Sequence, residues 1–133
     1  MAGYSGTPLA QKLGLRDGVS VWVRGMPATV RAEIEKRASP TFVGRPSKGL
    51  AAAHVFHTRA SELAQDLQKL RPLLAADGQV WASWPKKAAK VETDITEDKI
   101  RALALPLGFV DVKVCAVDKT WSGLKLVIRK ELR

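Results

Sequence analysis

A chain of 133 residues, 46% hydrophobic and 26% charged, has the size and mixture of one globular domain, too short for a nucleotide-binding unit plus a separate substrate domain. Its one cysteine, Cys115, excludes an internal disulfide and any multi-cysteine metal site. Lys and Arg total 22 against 13 Asp and Glu, a formal charge of +9, which favours polyanionic partners such as nucleic acid, anionic lipid or an acidic protein without naming one.

Met1 to Lys12 carries no continuous apolar run of the kind a secretory leader needs. The longest apolar stretch, Ala102 to Val110, is interrupted by Pro106 and Gly108 and is too short to cross a bilayer. The expectation is a cytoplasmic protein with no transmembrane segment.

Thr7-Pro8 reads as a helix start, with the hydroxyl as cap and proline where its missing donor costs nothing. Leu9 and Leu13 share a face of that short helix, and Gly14 ends it. After the Asp17-Gly18 turn, Val19 to Val23 alternates as a strand that Gly25, Met26 and Pro27 close. Thr29 to Arg37 is helical, with Val30 and Ile34 on one face and Arg31–Glu35 and Glu33–Arg37 spaced for ion pairs. A very short strand, Thr41 to Val43, precedes a turn-like, basic segment, Gly44 to Gly49. That segment has the glycine separation of a phosphate-binding loop, but Leu50 and Ala51 stand where lysine and a hydroxyl residue are required.

Ala51 to His57 is an apolar run of strand length. A helix follows from Ala60 to Leu70, its stripe made by Leu63, Leu67, Leu70 and Leu74. Asp77-Gly78 marks a turn, and Val80 to Trp84 a strand ended by Pro85. Asp94 and Glu97 have capping-box spacing ahead of a helix that buries Ile100, Leu103, Ala104 and Leu107. Val110 to Val117 and Leu124 to Ile128 form a closing pair, and the short connection between them requires an antiparallel arrangement. Strand and helix alternate as in βαβ units, which predicts a compact, Rossmann-like, three-layer α/β domain over residues 1–133. Its sheet has about five strands and is mostly parallel, with an antiparallel C-terminal pair.

Several runs carry a family resemblance: Ser83-Trp84-Pro85-Lys86-Lys87, Asp94-Ile95-Thr96-Glu97, Val110 to Asp118, and Trp121-Ser122-Gly123-Leu124-Lys125, with Thr7-Pro8-Leu9 and Leu13-Gly14 near the start. Together they resemble the signature of DUF3052, a bacterial family of uncharacterised proteins. The likeness spans nearly the whole chain, most thinly from Ala28 to Gly49, and implies no activity. The element order of the second half also resembles the last part of a methyltransferase-like Rossmann domain, a likeness of fold that does not transfer chemistry. Against the usual adenosyl or dinucleotide site, the turn after the first strand holds only Gly25. The second strand ends at Val43-Gly44 with no acid for ribose hydroxyls.

Ligands in such sheets gather beyond the carboxyl ends of the strands, a rim that here carries Arg24, Gly25, His57, Arg59, Trp84, Lys86 and Lys87. An aromatic face beside two ammonium groups suits a ring with a phosphate. The plainer account wedges Trp84 into the core and leaves the lysines solvated. His54 and His57 fall on opposite sides of a regular strand with no third ligand near, so no metal is expected. His57 at the rim has the position for a lone general base. Cys115, between Val114 and Ala116, reads as buried packing, and no residue is assigned as catalytic. The lead reading is a non-enzymatic binding or regulatory domain whose basic rim takes a phosphate-bearing partner, possible nucleic acid included, with no cofactor assigned. The alternatives are a small, atypical methyltransferase-like enzyme and a homodimeric interaction module.

Overall fold

Alternating valines build the centre of the molecule. In β1 (Ser20–Arg24) Val21 points to one face of the sheet and Trp22 to the other, and both are buried, so this strand is covered on two sides. The structure, a computed structural model, describes residues 6–133. β1 pairs in parallel with β2 (Thr41–Val43) and with β3 (Leu50–Phe56). β3 pairs in parallel with β4 (Leu74–Pro85), and β6 (Trp121–Ile128) runs antiparallel to both β4 and β5 (Phe109–Ala116). The order across the six-stranded sheet is β2-β1-β3-β4-β6-β5, which bears out a mostly parallel sheet ending in an antiparallel pair.

Helices α1 (Leu9–Lys12) and α2 (Ala28–Glu35) cover one face, where Leu13, Val30 and Ile34 meet Val21, Phe56 and Trp81. Helices α3 (Ala60–Leu70) and α4 (Glu97–Ala104) cover the other, where Leu63, Leu67 and Ile100 meet Trp22, Val80 and Leu124. Two separate cores on the two faces make the three layers. Each fully buried leucine or isoleucine contributes about 1.5–3 kcal/mol of transfer free energy. No helix among the described residues is long and apolar enough to cross a membrane.

Local details depart from the sequence reading. The sheet has six strands because Thr41–Val43 pairs fully along β1. β4 begins at Leu74, and Asp77-Gly78 is a bulge inside it, since Leu50 pairs with Leu74 but Ala52 with Gln79. A Cβ on Gly78 would stand 2.7 Å from the Leu74 side chain, so the bulge packs too tightly for any other residue. Pro8, not Thr7, caps α1, and it has no side-chain bond to give. Glu33 pairs with Lys36 at 2.6 Å rather than with Arg37. Thr96 is the cap of α4, its hydroxyl accepting from the Lys99 amide at 3.1 Å, while Glu97 bonds Arg101. Asp94 instead accepts the Ala60 amide at 2.7 Å and so caps α3 across the molecule. Cys115 is half-buried because β5 is the outer strand of the sheet.

Candidate functional site

Because β1, β3 and β4 run in parallel, their carboxyl ends share one edge of the sheet. From β1 the chain passes to β2 on one side and then to β3 on the other, so the switch point lies between β1 and β3. Gly25 makes the turn there with φ of +69°, and a Cβ would lie 3.0 Å from the Phe56 carbonyl oxygen. Both the backbone conformation and the close approach require glycine.

Three charged or titratable side chains meet beside that turn. Arg24 Nε donates to Asp66 Oδ2 at 2.8 Å, and His57 Nε2 lies 2.6 Å from the same oxygen. Asp66 is buried on α3 and His57 is buried at the end of β3, whereas the Arg24 side chain is 47% exposed. His57 Nδ1 faces Glu62 at 3.8 Å. The Arg24 guanidinium also lies 5.0 Å from the centre of the Trp22 ring, and Lys69 Nζ 5.6 Å from it. The carboxylate therefore orients the imidazole and holds the arginine back against the sheet. Sequence reasoning missed Asp66, yet it left a signal. An acid on the leucine stripe of α3, three residues after Leu63 and four before Leu70, faces inward and needs a partner.

This crevice does not fit an adenosyl group held in the usual way. β2 ends at Val43 and continues into Gly44 and Arg45, a cation where a ribose-binding acid is needed, and Gly25 is the sole glycine of the β1 turn. No group of His, Cys, Asp and Glu suited to a metal occurs among the described residues.

Farther along the same edge, the chain leaving β4 forms a groove of about 450 Å³ lined by Trp84, Lys86, Lys87, Val91, Ile95 and Glu97. Trp84 is half-buried, packed against the α3–α4 core and lining the groove as well. The loop behind it is fixed at several points. The Lys86 amide donates to the Thr120 carbonyl at 2.8 Å, and the Thr93 hydroxyl and Asp94 amide both donate to the Thr58 carbonyl, at 2.7 and 3.2 Å. Lys90 takes the left-handed conformation, φ 56°, which turns the segment back toward α4. An adjoining cavity of about 290 Å³ is lined by Thr58, Arg59, Glu92, Thr93 and Asp94. Thr93 borders both.

The rim residues named from sequence thus divide into two neighbourhoods along one edge. Trp84, Lys86 and Lys87 share the groove, with Arg59 next to it, and Arg24, Gly25 and His57 gather at the switch point. His54 lies on the opposite sheet face from His57, as strand alternation predicts, stacked on Phe56 at 4.3 Å. Its Nε2 is 2.7 Å from Ser83 Oγ, and burial pushes its pKa down to about 3. Both residues are closed off from solvent, so this Ser–His pair is a packed, neutral contact without access for a substrate. Trp121 packs edge-on against Phe56 at 5.1 Å.

No family model and no curated protein matches the chain. Solved structures do share its fold. A SAM-dependent methyltransferase from Aquifex aeolicus superposes with a TM-score of 0.65 at 13% identity, over 95% of this chain and 90% of that one. The mitomycin 7-O-methyltransferase MmcR gives 0.64 at 10% identity over 91% of this chain and 53% of that one. LepI in its complex with SAM gives 0.57 at 10% identity over 92% and 47%, so this chain spans about half the length of LepI. The chain therefore has a Rossmann-like fold similar to that of SAM-dependent methyltransferases.

Proposed function

We propose that this is a ligand-binding domain of methyltransferase-like fold whose carboxyl-end rim takes an anionic, ring-bearing ligand of the nucleotide class. The observation that carries the reading is the groove beyond β4, which Trp84, Lys86 and Lys87 line together. A base or similar ring stacks on Trp84 while phosphate oxygens meet Lys86 and Lys87. Arg59 in the adjoining cavity extends the cationic side. In this reading the network of Arg24, Asp66 and His57 fixes the neighbouring turn rather than performing a reaction.

The second reading is a small methyltransferase-like enzyme with an atypical pocket. The fold comparisons weigh toward it, because methyltransferases overlay more than nine-tenths of this chain. The residues at the switch point weigh the other way, lacking both the glycine-rich turn and the acid. We also retain kinship with DUF3052 and cytoplasmic residence as proposals, on the residues quoted above. Isothermal titration calorimetry at low salt with ADP, S-adenosylmethionine and inorganic phosphate separates the readings. Saturable ADP binding, weakened about tenfold or more by Lys86→Ala with Lys87→Ala, supports the first. ADP binding that is absent, or unchanged in the double variant, overturns it, and saturable S-adenosylmethionine binding alone selects the second.

A further inference from the structure

Among the described residues, the helices α1 and α2 do not extend over the whole of the sheet face that they cover. α1 reaches β4, where Trp81 donates its indole N–H to the Leu13 carbonyl at 2.9 Å, and beyond it lie β6 and β5. On this face Lys125 pairs directly with Trp81 across β4 and β6, and Lys113 pairs directly with Lys125 across β6 and β5. Cys115 follows on the same face, packed against the same core as Trp81. Like charges placed directly opposite each other in an antiparallel pair destabilise the sheet. Here burial, and after it the charge of Lys113, holds Lys125 below its ordinary value.

More cations converge on the same surface. Lys12 at the end of α1 donates to the Ala116 carbonyl at 3.4 Å. Lys12, Lys113 and Lys86 all act on the Cys115 thiol, although burial outweighs them and pushes the thiol up. No carboxylate is among the charges acting on Cys115 or Lys125. Asp111, the acid of β5 next to this surface, is turned to the other face and bonded to Arg101 at 2.9 Å.

We infer that the open β5–β6 face, with Lys113 and Lys125 at its centre and Lys12 and Lys86 beside them, is a binding surface for the phosphate backbone of a nucleic acid. A like-charge pair without a carboxylate costs folding free energy that a row of phosphates offsets on binding. A membrane is the poorer fit. Among the described residues the large exposed apolar side chains are Val91, Leu105, Val112, Val114 and Leu132, and Val114 pairs with the buried Leu124 of the α3–α4 face. The lysines stand on a sheet, not on an amphipathic helix able to sink into headgroups. Lys86 borders both this surface and the groove at Trp84, whereas the central pair, Lys113 and Lys125, lies outside the groove.

The test is fluorescence anisotropy of labelled single-stranded RNA, single-stranded DNA and duplex DNA across a salt series. The variants are Lys113→Ala with Lys125→Ala and a charge-matched control, Arg45→Ala with Lys48→Ala, in the loop before β3. The expected result is binding that weakens at least tenfold in the first double variant and stays within twofold in the control. The slope of log affinity against log salt should fall by about 1.4–1.8 for two lost phosphate contacts. Absence of binding to all three nucleic acids, or equal weakening in both double variants, overturns the inference. Binding to anionic phosphatidylglycerol vesicles that is lost in Lys113→Ala with Lys125→Ala, while RNA binding is unchanged by that double variant, would also overturn it and assign the surface to lipid. Retention of ADP binding in Lys113→Ala with Lys125→Ala distinguishes this surface from the groove.

Discussion

His54 should make the protein acid-sensitive by an amount the structure fixes. In the unfolded chain the imidazole titrates near its ordinary value of 6.5, while burial holds it near 3 in the folded protein. The unfolded state therefore binds more protons as pH falls, and stability present above about pH 6.5 is lost progressively down to about pH 3. At roughly 1.4 kcal/mol per pK unit, His54 alone removes about 3 kcal/mol between pH 8 and pH 4.5, and about 5 kcal/mol when the folded group also titrates. Such a loss is a large part of the stability of a domain of this size. Urea unfolding followed by tryptophan fluorescence at pH 8, 6 and 4.5 measures it. The double substitution His54→Leu with Ser83→Ala removes the titrating group and its buried partner together. The variant should lose about 3 kcal/mol less than the parent over this interval. An equal acid dependence in both proteins, or an imidazole resonance of His54 titrating near 6.5 in the folded state, would refute the reasoning.

Other perturbations have defined outcomes. Gly25→Ala should lower stability by about 1–2 kcal/mol in denaturant titration, because alanine disfavours φ of +69° and its Cβ meets the Phe56 carbonyl. No loss would show that the turn relaxes freely. Asp66→Ala should cost about 2–3 kcal/mol, since His57 stays buried without its carboxylate while Arg24 escapes to water. A thermal midpoint equal to that of the parent would remove Asp66 from its role. Thr96→Ala should cost about 1 kcal/mol through the lost cap of α4, whereas Glu97→Ala should cost only a few tenths. Equal effects would remove Thr96 as the cap of α4.

The architecture was legible because its signals are periodic. Alternating valines at residues 19–23, the leucine stripe of α3 and the short connection before Leu124 each constrain one element, and together they order the sheet. Long-range choices were not legible. Asp94 carries the same local signal whether it caps its own helix or α3, and only the packing of the 86–96 loop on Thr58 decides. Asp77-Gly78 reads as a turn, but pairing with β3 on one side draws it into a bulged strand. The rim residues were placed on the correct edge from strand direction alone. Their division into a switch-point network and a separate groove depends on Asp66, which α3 brings against Arg24 of β1 and His57 after β3. The like-charge pair of Lys113 and Lys125 needed the register of β5 on β6, which a bulge between Asp111 and Lys113 resets.

The groove at Trp84 is tested most directly by amide and indole chemical-shift mapping of the labelled protein with ADP. Saturable shifts centred on the Trp84 indole N–H and the amides of Lys86, Lys87 and Thr93 are expected. Shifts centred instead on Gly25 and Arg45, or no saturable shift at millimolar ADP, would contradict the proposed site.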